Sequence, residues 1–552
     1  MWFLVVMFCI LKSTSGELYT ALTDLEMLLE SEAVLVQTLH SNIAAEEAKL
    51  DTLRKQAKKF EEVHELAARD VASYLSNPIN AYLLVKRMTV DWRQTETLMR
   101  ESAYNHVLAN FTVHREQLKF PSDEDLRGAA EALIRLQDTY KLDTSSVARG
   151  ELNGIQYSSA LSVSDCFELG RQSYNRQDFY HTSLWMKEAL RKYDQEGNNT
   201  TTAKWEILEY LAYSTYMEGN VKSALQFTDD LLQLFPNHQK ALGNRAYYVS
   251  AIEEEAKKVQ NSEPSDSVSS EENVQSDAVP ATPKNISIHA AEVMDYAQER
   301  ALYEALCRKD ISLSTEYEAK LKCHYVTLNN PYLLIAPLKE EEAYLDPKIL
   351  LYRDVLSDSE IETIKQMAIP RLKRATVQNY KTGELEVANY RISKSAWLKE
   401  SEHEVVERIS KRVEDMSGLT CSTAEELQVV NYGIGGHYEP HFDFARPSEK
   451  NAFKLLGTGN RIATVLFYMS DVAEGGATVF PRLNLALWPR KGTAAVWHNL
   501  HSSCDGDYRT RHAACPVLIG SKWVCNKWLH ERGQEFLRPC VPNEYRSVDI
   551  DY

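Results

Sequence analysis

The chain is 552 residues long, more than one hydrophobic core serves, so several domains are expected. Its formal net charge of −17, with 79 acidic against 62 basic residues, excludes a surface built to neutralise nucleic-acid phosphates. Beyond the leading segment, no stretch reaches the roughly 18 apolar residues that a membrane-spanning helix needs.

Residues 1–16 join a short apolar run to small residues and read as a cleaved signal peptide. The run has no Lys or Arg ahead of it, so an anchor or a buried first helix is the competing reading. Sequons at Asn110, Asn198, Asn199 and Asn285 fit a luminal protein, with glycosylation expected at Asn110, Asn199 and Asn285. Of nine cysteines, Cys9 leaves with the signal, and the even set that remains suits a compartment where disulfides persist.

Residues 17–145 read as a helical coiled-coil dimerisation domain. Leu22, Leu25, Leu29, Val36, Leu39, Ile43, Leu50, Leu53, Ala57 and Phe60 follow alternating three- and four-residue steps, the a/d register. Glu32 and Glu46 fall on d positions, where carboxylates facing across a parallel seam are costly. This points to antiparallel, offset or intramolecular pairing. The alternative is one long amphipathic helix packing on the helices that follow it.

Residues 146–255 resemble a tetratricopeptide-type α domain. Leu208, Leu211, Ala212, Tyr216, Gly219, Asn220, Ala224 and Pro236 match the repeat's order of large residue, small crossing residue, turn and terminal proline. An earlier unit carries Phe167, Gly170, Tyr174 and Ala189. Tyr210, Tyr213 and Tyr216 recur along one helix face, where they serve either as core packing or as platforms for an extended proline-rich chain.

An acidic, Ser-rich linker is expected over 256–285 and a helical connector over 286–344. Short β-type runs punctuated by Gly and Pro then mark residues 345–540 as a double-sheet barrel, before a tail at 541–552. The fold class is thus α+β and multidomain: a coiled-coil helical domain, a tetratricopeptide-type domain and a C-terminal jelly roll, the double-stranded β-helix.

Within the barrel, His441 and Asp443 stand at i and i+2 on a strand, so imidazole and carboxylate point to one face. Two histidines and a carboxylate hold non-haem Fe(II) with positions left open. Candidates for the third ligand are His498, His501, His512 and His530. His512 opens a strand, a Gly-Ser turn and a second strand beginning at Lys522, which places a cation beside the metal for the distal carboxylate of 2-oxoglutarate. His530 shares a face with Lys522 on the second strand, and is either a contact to the cosubstrate or dioxygen site or a hydrogen-bonded core histidine. A zinc hydrolase also uses such a triad, but has no need of Lys522.

The segments Tyr432-Gly-Ile-Gly-Gly-His-Tyr-Glu-Pro-His-Phe-Asp443, Gly457-Thr-Gly-Asn-Arg-Ile-Ala-Thr464, Gly475-Gly-Ala-Thr-Val-Phe-Pro481 and His512-Ala-Ala-Cys-Pro516 resemble the collagen prolyl 4-hydroxylase α-subunit family. The resemblance covers nearly the whole mature chain. It implies Fe(II) held by His441, Asp443 and His512, and 2-oxoglutarate bound by Lys522 with help from Tyr432 and Thr464. It also implies a peptide grip at Arg391 and Ser393, and peptide binding at Tyr210, Tyr213 and Tyr216. Disulfides Cys307–Cys323 and Cys515–Cys540 are implied too, with Cys166 a buried thiol. Cys421, Cys504 and Cys525 depart from the family pattern, and Cys504–Cys525 is an additional candidate bridge.

The implied activity is 4-hydroxylation of proline in X-Pro-Gly of collagen-like chains, consuming O2 and 2-oxoglutarate and releasing succinate and CO2, with L-ascorbate rescuing uncoupled turnovers. The implied assembly is an α2β2 tetramer with protein disulfide isomerase as β subunit in the endoplasmic reticulum lumen. No Lys-Asp-Glu-Leu-type signal ends the chain. The rivals are a lysyl or other luminal 2-oxoglutarate oxygenase, and an inactive scaffold for proline-rich chains. Lys522 and the tyrosine face favour proline, and the intact triad favours an enzyme.

Overall fold

The computed structural model describes residues 18–71, 78–100, 121–196, 202–260, 295–328, 330–378, 385–449, 451–454 and 456–541. The signal peptide, the sequons at Asn110, Asn198, Asn199 and Asn285, the linker from 261 to 285 and the tail from 542 lie outside these residues. The chain divides into two units, Thr23–Ser122, and Met1–Leu22 together with Asp123–Tyr552.

In the first unit, helix α1 (Leu22–Arg69) precedes α2 (Pro78–Lys86) and α3 (Trp92–Arg100). Towards the far end of α1, Phe60 packs on Trp92 with ring centroids 5.0 Å apart, and Thr95 donates to Gln56 Oε1 at 2.9 Å. That end packs within the unit. The near end instead turns its apolar stripe outward among the described residues, with Leu29 68% and Leu39 56% exposed.

The second unit opens with α4 (Asp123–Tyr140). Expected among the N-terminal helices, α4 packs on the C-terminal sheets: Arg135 donates to Gly435 O at 3.0 Å, and Tyr140 Oη to Pro516 O at 2.5 Å. Next come α5 (Val163–Asn175), α6 (Phe179–Glu196), α7 (Lys204–Met217), α8 (Val221–Leu234) and α9 (Gln239–Gln260), each packed on the one before. A Ser162–Asp165 capping box starts α5 and the Asn220 side chain starts α8, satisfying first-turn amides. Trp185, Met186, Ala189, Ile207 and Leu211 fill the core. At the α5–α6 crossing, a Cβ on Gly170 would stand 2.8 Å from Met186 Cε, which explains the small residue.

After α10 (Tyr296–Cys307) the chain builds two antiparallel sheets. The strands are β1 (Cys323–Val326), β2 (Leu338–Tyr344), β3 (Ile349–Arg353), β4 (Lys373–Arg374), β5 (Arg391–Ile392), β6 (Lys394–Leu398) and β7 (Leu427–Tyr432). They continue as β8 (His437–His441), β9 (Arg461–Tyr468), β10 (Thr478–Phe480), β11 (Leu485–Leu487), β12 (Ala494–His498), β13 (His512–Ala514) and β14 (Lys522–His530). Among the described residues the larger sheet runs β1-β2-β3-β12-β9-β14-β7-β6-β4 and the smaller β11-β10-β13-β8-β5.

Alternation along the strands divides the cores. Val430, Leu466, Ala495 and Val524 face the space between the sheets with Phe480, Leu485 and Leu487 of the smaller one. Val429, Val465, Val496 and Cys525 face the other way, onto α11 (Asp358–Ala368) and α12 (Glu404–Ser417). The region expected as a helical connector is helical only in part, at α10 and in short segments at Thr315–Glu318 and Pro331–Leu334, because β1 and β2 belong to the larger sheet, which begins at Cys323.

The cysteine pairings differ from those the resemblance implied. Cys307 ends α10, which packs on β13, and is bonded to Cys515 across a 5.6 Å Cα separation. Cys323 is a free thiol on the exposed strand β1, so the Cys307–Cys323 bridge is not formed. Cys540, also free, lies beside Cys504 instead of Cys515. The Cys504–Cys525 bridge is absent because Cys525 is buried in the core and Cys504 sits on an exposed turn. Cys166 is a buried thiol, as expected.

Candidate active site

Strand β8 ends at His441 and β13 begins at His512, and antiparallel pairing sets these two residues opposite one another. Asp443 follows two residues on. One ligand atom from each of the three lies within 4.8 Å of the others, and among the described residues no other group of three or more His, Cys, Asp or Glu gathers so. His498 and His501 take no part in that cluster.

Backbone carbonyls fix both imidazoles. Nδ1 of His441 stands 2.8 Å from Glu439 O and Nδ1 of His512 stands 3.0 Å from Thr510 O. A carbonyl only accepts, so Nδ1 carries the hydrogen and Nε2 offers its lone pair to the cluster. Those Nε2 atoms lie 3.8 Å and 3.6 Å from the two oxygens of Asp443. Burial, then His512, pushes His441 well below the usual imidazole range, keeping it neutral. Burial opposes ionisation of Asp443, yet the positive charge around it, the Arg461 guanidinium included, holds its carboxyl at about 2. Two neutral nitrogens and one carboxylate fit a divalent transition metal with open positions.

Thr464 Oγ1 donates to Asp443 Oδ2 at 2.7 Å, and Asn499 Nδ2 donates to Thr464 Oγ1 at 2.9 Å. Lys522, at the start of β14, is 1% exposed and lines the same cavity as the triad, Tyr432, Thr464 and Thr478. Its Nζ sits 5.0 Å from the Tyr432 ring centre, and among the described residues no carboxylate forms an ion pair with it. Burial alone lowers its ammonium to about 7. The positive φ of Gly476, +67°, lets the turn before β10 lie against the lysine stem, with Lys522 Cδ 3.4 Å from where a Cβ would stand. A cluster of candidate metal ligands and an unpaired buried cation lining one cavity suit a chelating diacid held at both ends.

Arg391 reaches this cavity. Its guanidinium donates to Gln428 Oε1 and Thr376 O, both at 3.0 Å, and lies 4.9 Å from the Tyr438 ring centre. Ser393 is fully buried and does not line the cavity. His530 also stays outside it, against the reading that gave it a catalytic contact. Its Nε2 lies 3.0 Å from Glu425 and its Nδ1 2.8 Å from Gly459 O, so it is the hydrogen-bonded core histidine. The irregularity in β9 between Arg461 and Ala463 accompanies this end of the strand, where Arg461 pairs with Glu425 and covers the Trp528 ring at 3.9 Å.

Tyr210, Tyr213 and Tyr216 are half-buried members of an aromatic ladder. Tyr174 meets Tyr210 edge-on at 4.9 Å and Tyr213 at 5.8 Å, and Tyr216 reaches Tyr247 and Tyr248 at 5.6 Å and 4.9 Å. Sequence reasoning passed over Tyr438, which stacks on the His441 ring at 3.5 Å, and Asn499. The position of Tyr438 three residues before His441 was a usable signal, whereas nothing local marks Asn499.

Comparisons with known proteins cover most of the chain. The profile for the prolyl 4-hydroxylase alpha-subunit N-terminal region matches residues 21–154. The profile for the prolyl 4-hydroxylase peptide-substrate-binding domain matches 163–254, and that for the 2OG-Fe(II) oxygenase superfamily 427–530. Prolyl 4-hydroxylase subunit alpha-1 of Bos taurus is 47% identical over 549 residues, covering 98% of this chain and 99% of the relative. Subunit alpha-2 of Caenorhabditis elegans is 48% identical over 540 residues, covering 97% and 96%. Among solved structures, a viral collagen prolyl hydroxylase from Paramecium bursaria Chlorella virus 1 is 25% identical, covering 33% of this chain and 94% of its own, with a TM-score of 0.26.

Proposed function

Because the chain belongs to the prolyl 4-hydroxylase α-subunit family, and its C-terminal domain is a 2-oxoglutarate-dependent dioxygenase, we propose that it 4-hydroxylates proline in X-Pro-Gly of collagen-like chains. Fe(II) and 2-oxoglutarate are its requirements, and ascorbate is the reductant typical of the family. Joint placement of His441, Asp443, His512 and the unpaired Lys522 around one cavity carries the reading.

In this proposal the Nε2 atoms of His441 and His512 and the Asp443 carboxylate hold the iron. The bound metal and cosubstrate supply the oxidising chemistry that inserts one oxygen atom of O2 into the proline C4–H bond, with succinate and CO2 as products. The chain's own residues orient the reactants. Glu439 O and Thr510 O aim the imidazoles, and Thr464 holds one oxygen of Asp443. Lys522 pairs with the distal carboxylate, beside Tyr432 and Thr464. Arg391 and Tyr438 frame the approach of the peptide, and Tyr210, Tyr213 and Tyr216 bind it farther along the chain. Ser393, fully buried, supports the backbone of that approach without touching the peptide.

The disulfide Cys307–Cys515 supports residence in the endoplasmic reticulum lumen. Among the described residues no helix is long and apolar enough to cross a membrane. The "subunit alpha" in the relatives' names supports assembly with a further kind of subunit, and the family resemblance makes that subunit protein disulfide isomerase, in an α2β2 tetramer. The test is succinate release from 2-oxoglutarate with (Pro-Pro-Gly) peptides and Fe(II), with that partner co-expressed. Peptide-dependent succinate and 4-hydroxyproline are expected, and lysine hydroxylation or peptide binding without turnover would overturn the reading.

A further inference from the structure

Of the cysteines outside the Cys307–Cys515 bridge, Cys166 and Cys525 are buried, Cys421 is half-buried with its sulfur on Ser410 O at 3.4 Å, and Cys323 is exposed on β1. That leaves Cys504 and Cys540, both exposed, with sulfurs 3.5 Å apart. Among the described residues they are the only free sulfurs in contact.

The backbone on either side already fixes their registry. The C-terminal segment docks on the turn through Arg538, which donates to Leu500 O at 2.9 Å, and Val541 N, which donates to Ser502 O at 2.9 Å. The turn is closed from within: Cys504 N donates to His501 O at 3.0 Å, and His501 N to Asp505 O at 2.8 Å. An S–S bond of about 2.05 Å asks these two sulfurs to approach by roughly 1.5 Å, a side-chain rotation on an exposed turn.

We propose that Cys504 and Cys540 form a disulfide that ties the C-terminal segment to the turn leading into the metal site. One protein thiolate attacks a sulfur of an incoming protein or glutathione disulfide and displaces a thiolate. The other protein thiolate then attacks that mixed disulfide and displaces the second thiol. The two protein thiols give up two electrons and two protons, and the incoming disulfide leaves as two thiols.

The tie bears on the metal cluster because both ends of its loop touch it. At one end Asn499 donates to Thr464, which donates to Asp443. At the other, Thr510 O receives the Nδ1 hydrogen of His512. Asp507 N, donating to Asn499 O at 2.8 Å, spans the two. Cross-linking the turn between them limits how far these partners drift from the ligands they hold.

The chemical test is peptide mapping of the full-length protein, purified without reductant, alkylated and digested unreduced. A linked pair of peptides carrying Cys504 and Cys540 is expected. Recovery of both as alkylated free thiols, or of Cys540 linked to Cys515, overturns the proposal. This mapping stands apart from the iron reading, so failure of one is distinguishable from failure of the other.

The functional test compares C504S, C540S and the double variant. Each is expected to raise the Fe(II) concentration for half-maximal activity by the same factor, at most about tenfold, the low end for disturbing an outer partner of a metal ligand. Additive effects of the two single variants, or no effect in any of the three, would overturn the link from the disulfide to the metal site.

Discussion

The Thr464 hydroxyl, 2.7 Å from Asp443 Oδ2, binds one carboxylate oxygen and leaves the other, Oδ1, towards His441. The carboxylate is thereby kept from rotating. Thr464→Val keeps the shape and removes the donor, so the Fe(II) requirement should rise by about 10- to 100-fold, while Thr464→Ser should stay close to wild type. Metal titration monitored by turnover and by direct iron binding checks both variants.

Lys522 should show itself as a pH dependence of cosubstrate use. Its ammonium titrates near 7 in the folded protein against an ordinary 10.5, so above pH 7 the free enzyme loses the cation that pairs with a carboxylate. The kcat/KM for 2-oxoglutarate should fall as pH rises through 7. Lys522→Ala should remove that dependence and raise the KM for 2-oxoglutarate by about 10- to 100-fold with iron still bound. An unchanged cosubstrate requirement would sink the assignment.

His181 links α4 to α6, with Nε2 3.0 Å from Asp138 and Nδ1 2.8 Å from Asp178. Burial works against its charge, but the two carboxylates win and raise it from 6.5 to about 9. Because the folded value lies above the unfolded one, the stabilisation is complete below pH 6.5 and is lost as pH rises through 9. The loss should amount to roughly 2 kcal/mol, discounted for the half-exposed Asp138. Calorimetry across pH 6 to 10 should show this decline, and His181→Gln should flatten it.

Tyr213 touches Tyr174, Phe179 and Tyr216 from the middle of the aromatic ladder. Tyr213→Ala should raise the KM for long proline-rich peptides by about tenfold while sparing a single tripeptide and 2-oxoglutarate, since an aromatic anchor is worth on the order of 1–2 kcal/mol. Steady-state kinetics on peptides of graded length measures the difference.

The His441–Asp443–His512 cluster was legible because its logic is local: Asp443 follows two residues beyond His441, which ends β8, and His512 and Lys522 flank one strand-turn-strand. The strands at 323–344 were not, because Lys339-Glu-Glu-Glu342 looks like a solvated helix. Glu340 in fact accepts from Tyr352 Oη at 2.7 Å and Glu341 from Arg353 at 2.7 Å, pairings set by the neighbouring strand β3. The fate of His530 depended on Glu425, over a hundred residues earlier, and the cysteine partners on how α10 meets β13. The joint at Gly475 was equally hidden: with φ at +76°, a Cβ there would stand 2.5 Å from Tyr140 Oη and 2.6 Å from Pro516 O.

The two ends of α1 differ in what holds them. Contacts from Trp92 and Thr95 secure its far end and Leu22 N, donating to Asn431 Oδ1, its first residue, while Leu29, Leu39 and Ile43 between them lie open among the described residues. A helix draws most of its stability from packing an apolar face, so this open stretch depends on whatever covers it. With a second copy of the chain as that cover, as the a/d register predicts, mass action makes it sensitive to protein concentration. On dilution, amide hydrogens between about residues 29 and 50 should exchange with solvent first, and those around Phe60 last.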